Sequence, residues 1–570
     1  MEFRQLTSHW SAKQISILLT IIALILWAHS ITQAKLNIGF YGLIHSFPLT
    51  FFVALGILTI ASAILWVSKE SHQKLLLLQL LLLITALWLV PLLIGTRPFC
   101  GDAYRNLWLI TEITERGKLF DYMYLFWPGA FLLFPTMAKL ASISFGSIMN
   151  ISSFFMQLLY LLPLYVFLRN ILGEARINYC WAGLWIFSLA NWIEEGYFSP
   201  SGTAYFLLLV LLALVTAPSF WERSAKSVVL LSLAIVTFAA LAITHLLTSL
   251  AALCILAVLC AVKRNKRVAP VVAVCFLLVI SWDIIGTGGY MTKQITSQPL
   301  VTTVSTTPPG ETTPPGETTP PGETTPPSEV TPGILTFDPR PLVEQQVTGH
   351  IAGSESHITV VRLRILFSAL IAALALGGAI LLLVRKKFRA AIPIIAIALA
   401  PILLFPISGY CYQPHFTLRL YFFLLPPMAY FATNLLDTRR KAVAAILCLI
   451  LITAIPLHIV SHYGNQAFDY WSPSYIAGFR YVDGVKKDSD YPFAKLSQLS
   501  WEDNQLVFDD NFPNQEHYFA ISQHDDASYD FLFNQPQLVD EVWNWLYNSG
   551  DYDCIYANPD FDLYVREIGS

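Results

Sequence analysis

The feature that most restricts this chain is its repetition of long apolar runs. A bilayer core of about 30 Å is crossed by about 20 apolar residues of helix. Breaks at charged, Pro or Gly residues leave thirteen such runs, near 14–31, 48–68, 75–95, 147–168, 178–193, 202–217, 227–244, 246–262, 268–286, 362–384, 390–408, 418–436 and 442–460. Composition agrees, since 55% of the 570 residues are hydrophobic and 13% charged, against about 45–50% and about 25% in soluble domains. A soluble enzyme, a disordered scaffold and a nucleic-acid binder are thereby set aside. Five of the eight cysteines (Cys180, Cys254, Cys260, Cys275, Cys448) fall inside apolar runs and make no disulfide framework. The expected fold class is an α-helical polytopic membrane protein with about 13 transmembrane helices.

A fourteenth stretch, 127–145, is broken by Pro128 and Pro135 and carries Lys139. Charge decides whether it crosses. The segments 69–74, 169–176, 223–226, 263–267, 385–389 and 438–441 are short and basic. If 127–145 stays outside, all six lie on one side with the N-terminus, as the positive-inside rule favours. Counted in full from one span to the next, the inside segments then hold 19 of the 35 Lys and Arg but 5 of the 38 Asp and Glu. The expected topology is a multi-pass protein of the cell membrane with a cytoplasmic N-terminus and an extracytoplasmic C-terminus. The first run lacks a small-residue cleavage site and reads as a signal anchor.

That topology divides the chain into a transmembrane part, 1–460, and an outer tail, 461–570. Two further outer features are a loop at 96–146 and a long loop at 287–361. The long loop contains TTPPGE three times and then TTPPSE, over residues 306–329. Paired prolines favour extended, solvated backbone, so this is a semi-rigid spacer or a mucin-like acceptor of O-glycans. The tail carries 19 Asp and Glu against 5 Lys and Arg. It reads as a small α/β domain: helices near 474–486 and 539–548, strands near 505–509 and 517–522, and a hairpin of 553–557 with 562–567 around Asn558-Pro559-Asp560.

The loop 101–146 is the informative stretch. At 100° per residue, Asp102, Arg105, Glu112, Glu115 and Arg116 gather on one arc and Tyr104, Leu107, Ile110 and Ile113 on the other. Gly117 is the expected stop. The pattern predicts an amphipathic helix lying in the interface. A Pro-containing segment follows, then a short apolar helix ending at Phe145-Gly146.

This order resembles the GT-C superfamily of polytopic glycosyltransferases, which includes protein O-mannosyltransferases and aminoarabinose transferases. It runs from an outward Asp just past a span, through an interfacial helix ending in Gly and a second ending in FG, to a regular span. The resemblance covers about 100–460. It implies transfer of a sugar, with inversion, from a polyprenyl- or dolichyl-phosphate-linked donor to an extracytoplasmic protein, lipid or glycan. Asp102 matches the family's first-loop carboxylate, the expected general base. Arg419 looks like the late arginine that contacts the lipid phosphate, with Arg105 beside it on the Asp102 helix. Glu194 and Glu195, in NWIEEGYFSPSG, stand where many members have a second outward acid, which positions acceptor or metal. With the Thr/Pro repeat and an uncleaved first span, the chain is similar to an archaeal cell-surface protein.

The chemistry suits these residue types. A hydroxyl attacking an anomeric carbon needs a base, and a departing phosphate is stabilised by the two-pronged guanidinium of Arg. No cofactor is required, although a carboxylate pair can hold Mg²⁺ or Mn²⁺. Asp283, near the end of the ninth span, and His245, in the THLLTS turn, are further polar candidates. Each residue also has a plain structural reading: a helix cap for Asp102, a solvated loop for Glu194 and Glu195, a headgroup contact for Arg419, and a satisfied turn for Asp283 and His245. Two other functions remain open. A transporter or lipid flippase predicts an internal repeat and charges near the midplane, and a non-catalytic envelope scaffold leaves Asp102 dispensable.

Overall fold

The computed structural model describes residues 11–94, 101–120, 122–193, 196–287, 353–386, 388–407, 416–438, 441–464 and 470–488. In the tail it describes 493–494, 499–502, 505–508, 517–523, 525, 537–548, 550 and 552–566. The Thr/Pro repeat, Glu194 and Glu195 lie outside the described residues.

The chain is an α-helical membrane protein. Among the described residues, nine helices are long and apolar enough to cross a membrane. The chain opens with three of them, α1 (Ala12–Gln33), α2 (Leu49–Trp66) and α3 (Gln73–Leu93). Two shorter helices follow, α4 (Gly101–Arg116) and α5 (Gly129–Ala141). Then come α6 (Phe145–Leu172), the shorter α7 (Ile177–Ala190) and α8 (Pro200–Thr216), and α9 (Ala225–Ala242). The spans α10 (Leu246–Lys263), α11 (Ala269–Gly286) and α12 (Glu355–Val384) precede the short α13 (Phe388–Leu399). The bundle closes with α14 (Phe416–Thr433) and the span α15 (Lys441–Tyr463).

The nine coincide with nine of the thirteen expected runs, and the other four fold as α7, α8, α13 and α14. At about 1.5 Å per residue, the 14 residues of α7 reach roughly 21 Å, short of a bilayer core. Every residue of α7 except Tyr179 is buried, so it is an inner helix. α13 gives way to a 3-10 stretch at Ala400–Ile407, and α14 carries Arg419 and the pair Pro426-Pro427. The 13 residues of α5 are likewise short of a bilayer core.

Lipid tails are as apolar as leucine, so helices associate in a membrane through close packing and hydrogen bonds. Both are present. Gln79 of α3 donates to Ser16 and Thr20 of α1 at 2.8 Å each and accepts from Ser62 of α2 at 2.9 Å. All four side chains are buried, which satisfies the amide where water is absent. A Cβ at Gly378 of α12 would collide with the Phe431 carbonyl of α14, so glycine there lets two backbones touch. At the Arg176 end of α7, Asp437 receives Arg176 at 3.0 Å and Arg385 at 2.7 Å, joining three helix ends.

Two spans contain a wide π turn, at Thr85–Leu89 in α3 and Trp282–Gly286 in α11. Such turns recur at functional positions. Here both sit at the end of their span nearest the α4 loop. Tyr463, the last residue of α15, donates to the Leu87 carbonyl at 2.6 Å within the first of them.

In the tail, helices α16 (Pro473–Asp488) and α17 (Leu538–Asn548) accompany six strands. These are β1 (Phe493–Ala494), β2 (Leu499–Glu502), β3 (Gln505–Phe508), β4 (His517–Ser522), β5 (Asp553–Asn558) and β6 (Phe561–Arg566). One sheet has the order β1-β4-β6-β5, with β1 parallel to β4 and the other pairs antiparallel. A separate hairpin joins β2 and β3. Val539, Val542 and Leu546 of α17 pack on Phe519, Ile521 and Tyr564. Tyr475 and Val482 of α16 pack with Tyr518, Phe561 and Leu563.

Candidate functional site

The Asp102 helix forms as its pattern predicts, with its buried stripe turned. α4 stops at Arg116, and Gly117 follows at φ +65° with its N–H on the Ile113 carbonyl at 3.0 Å. This is the left-handed helix exit that glycine adopts without a Cβ penalty. The buried side chains are Ala103, Asn106, Leu109, Ile110 and Ile113. Asn106 is drawn inside because its amide donates to the Tyr197 hydroxyl at 3.1 Å. Tyr104 and Leu107, expected on the apolar arc, are half-buried. Phe145-Gly146, expected to end the second short helix, instead open α6. Ser142 at φ 56° terminates α5, and the Ser144 hydroxyl caps α6 by accepting the Ser147 N–H at 3.1 Å.

Asp102 occupies the first turn of α4, and its carboxylate pairs with Arg105 Nη2 at 2.8 Å. The side chains are 55% and 32% exposed, so water screens the pair and it adds little stability. What it does is hold a guanidinium beside the carboxylate. Arg419, on the first turn of α14, lies close enough for the Asp102 charge to act on its guanidinium. One carboxylate therefore faces two arginines from different helices.

Around this trio the neighbouring ends of several helices interlock. The loop 191–199, flanking the undescribed Glu194 and Glu195, reaches α4 through Tyr197 and Asn106. Its Trp192 donates to Ser368 of α12 at 3.2 Å and packs against Tyr421 of α14 at 5.7 Å. Arg364 stands 5.4 Å from the Trp192 ring and donates to the Ser461 carbonyl at 2.8 Å. His458 and His462 of α15 point Nδ1 at the carbonyls of Leu189 and Trp192, at 2.8 and 3.0 Å. A carbonyl only accepts, so both histidines carry the proton on Nδ1 when neutral. The hydropathy pattern alone does not single out this pair. Its signal is two histidines four apart in the apolar run IPLHIVSHY, a polar pattern inside a span.

Asp283 and His245 belong to neighbouring joints. Trp127 donates to Asp283 Oδ1 at 3.3 Å, and Trp282 donates to the Phe126 carbonyl at 3.1 Å, so two indoles fasten the loop before α5 to the end of α11. His245 caps α10, with its Nδ1 accepting the Thr248 N–H at 3.3 Å. Burial lowers its pKa from 6.5 to about 4, since the charged imidazole loses its hydration. The adjacent turn receives α5, whose Gly129 N–H donates to the Ile243 carbonyl at 2.9 Å.

Among the described residues, no three His, Cys, Asp or Glu side chains converge. Asp102, facing Arg105 and Arg419, offers positive rather than negative surroundings, so the described residues fit an anion better than Mg²⁺ or Mn²⁺. No protein-family model matches this sequence, and no curated protein matches it significantly.

Proposed function

We propose that this protein is a membrane glycosyltransferase of the GT-C kind. It moves a sugar from a polyprenyl- or dolichyl-phosphate-linked donor to an acceptor hydroxyl or amide outside the cytoplasmic membrane. The observation that carries the reading is the charge arrangement. Asp102 pairs with Arg105 at 2.8 Å and interacts with Arg419 across two helices, at the outer end of an apolar bundle. An isolated carboxylate at a helix start would need neither arginine.

In this reading Arg419 and Arg105 hold the donor phosphate, and Asp102 faces the acceptor. The acceptor oxygen or nitrogen forms a bond to the anomeric carbon from the side opposite the phosphate. The carbon–oxygen bond to the phosphate breaks with its electron pair, the acceptor proton passes to Asp102, and the arginines stabilise the phosphate released. A single displacement inverts the anomeric centre. Glu194 and Glu195 position the acceptor or a metal from the loop that Asn106 anchors. The reading also counts the other four apolar runs as spans, with α7 carried on by the loop to 193 and α13 by the 3-10 stretch to Ile407, for thirteen in all. The basic segments then lie inside, and the tail is an extracytoplasmic α/β domain.

The test is Asp102→Asn in the full chain, with the mass of surface glycoproteins and the pool of lipid-linked sugars compared with wild type. Loss of surface glycan with accumulation of the lipid-linked donor is expected. Unchanged glycans at normal expression would leave the envelope-scaffold reading in its place.

A further inference from the structure

We infer that Trp471, at the entry to the tail, is a positioning residue for the Asp102 turn of α4, an inference that rests on the transferase reading above. Tyr104 lies on that turn, between Asp102 and Arg105. Its ring stacks on the Trp471 indole with centroids 4.8 Å apart and planes 7° from parallel. The Tyr104 hydroxyl also approaches the Trp471 carbonyl, at 3.5 Å.

Trp471 is in turn fixed from the tail. Phe479 of α16 stacks with it at 5.6 Å, and Tyr475 meets it edge-on at 5.3 Å. The next residue, Ser472, accepts the Tyr475 N–H at 2.9 Å and donates to Asp560 between β5 and β6 at 2.6 Å. The indole is thus part of the tail's own packing, not a loose strap.

Residues two apart on a helix project about 200° from each other. Trp471 therefore braces the turn on the side away from the Asp102 carboxylate and acts through α4, without touching substrate. The bundle grips the same turn through Ala103 and Asn106, which are buried on the inner side. Held from two directions, the first turn can neither roll nor slide, and the Asp102 carboxylate keeps its place relative to Arg419. Stacking across 367 residues of chain makes the tail one wall of the site.

The test uses full-length protein in nanodiscs and the variants Tyr104→Ala, Tyr104→Phe, Trp471→Ala and Trp471→Phe. Tyr104→Ala leaves the Trp471 contacts within the tail intact, so it keeps the test sound if Trp471→Ala loosens the tail. Amide deuterium exchange over 101–116 is expected to rise about tenfold in both alanine variants and to stay near wild type in both phenylalanine variants. Turnover, read as acceptor-dependent release of dolichyl phosphate from a panel of dolichyl-phosphate hexoses, should fall about tenfold in kcat with KM for the donor unchanged. Phenylalanine should restore it. Unchanged exchange in Tyr104→Ala would overturn the inference, as would faster exchange with full kcat. Wild-type protein with no turnover on any donor of the panel would instead overturn the transferase reading, while the exchange result stands by itself, so the two failures are told apart.

Discussion

Asn106, on the inner face of α4, donates to the Tyr197 hydroxyl at 3.1 Å and so ties the Asp102 helix to the loop that carries Glu194 and Glu195. Asn106 is one turn along from Asp102, and its exposure is only 3%. Removing one partner takes a hydrogen bond from the other where water is absent, at a cost of about 1–3 kcal/mol. Asn106→Leu is expected to lower the unfolding free energy in detergent by about that amount. Tyr197→Phe, which leaves the Asn106 amide unsatisfied, should cost a similar amount. The double variant should cost less than the sum of the two, because one hydrogen bond is lost only once. Strict additivity would mean that the two side chains do not depend on each other.

In the proposed reading Asp102 is the general base, and loss of such a base costs about 10²–10⁴-fold in rate. Asp102→Asn should therefore reduce transfer by at least about a hundredfold while leaving donor affinity nearly intact. Arg419→Lys keeps the charge but loses the fork that grips two phosphate oxygens, and it should raise KM for the lipid donor. Transfer assays on purified variants, with kcat and KM determined separately, distinguish the two effects. A purely structural Asp102 would lower protein yield and leave the specific activity unchanged.

Inside the bundle, Gln79 joins Ser16, Thr20 and Ser62. Hydrogen bonds between membrane helices average about 0.6 kcal/mol and reach about 1.7. Ser16 and Thr20 also donate to the carbonyls of Ala61 and Ser16, at 2.9 and 2.7 Å, and would keep those bonds. Gln79→Leu is thus expected to destabilise by only about 1 kcal/mol in reversible unfolding in mixed micelles. A loss several times larger would mean that the network sets the register of α1–α3 and not merely their contact.

His245 gives the fold an acid-sensitive joint. Its pKa falls from 6.5 to about 4 on folding, so the unfolded chain binds the proton first as pH drops. Stability is full above pH 6.5, is lost between about 6.5 and 4, and is flat below that. The shift corresponds to about 3 kcal/mol in total. His245→Asn keeps a side-chain acceptor for the Thr248 N–H and removes the titration. Its stability profile should be flatter across that window, as thermal unfolding at stepped pH will show. A variant as acid-sensitive as wild type would place the titration elsewhere.

Local signals were legible in the sequence. Gly117 ends α4 where the pattern predicts, and the hairpin around Asn558-Pro559-Asp560 joins β5 to β6. The α16 and α17 boundaries fall within two residues of expectation. In each case the cause lies within one turn of the effect. The turned stripe of α4 was not legible, because what draws Asn106 inward is a hydroxyl 91 residues away. The same holds for Tyr104, which is covered by an indole from the tail. The histidines of α15 were hidden for a related reason. In a hydropathy window they are dilute, and only their carbonyl partners on and beyond α7 give them meaning. α7 has the sequence of an ordinary span because burial on all sides and contact with lipid call for the same apolar residues.

The π turn at Thr85–Leu89 holds a residue more than an α turn would. The wide turn takes up that residue locally, so the helix beyond it keeps nearly the phase it would have without it. Forcing the turn back to even α winding with all its residues kept would instead rotate the end of α3 by about 100°, and the Leu87 carbonyl would swing away from the Tyr463 hydroxyl. The protein thus has a point of phase adjustment just upstream of Asp102. Tightening it would change the angle at which α3 ends without altering any residue around the carboxylate.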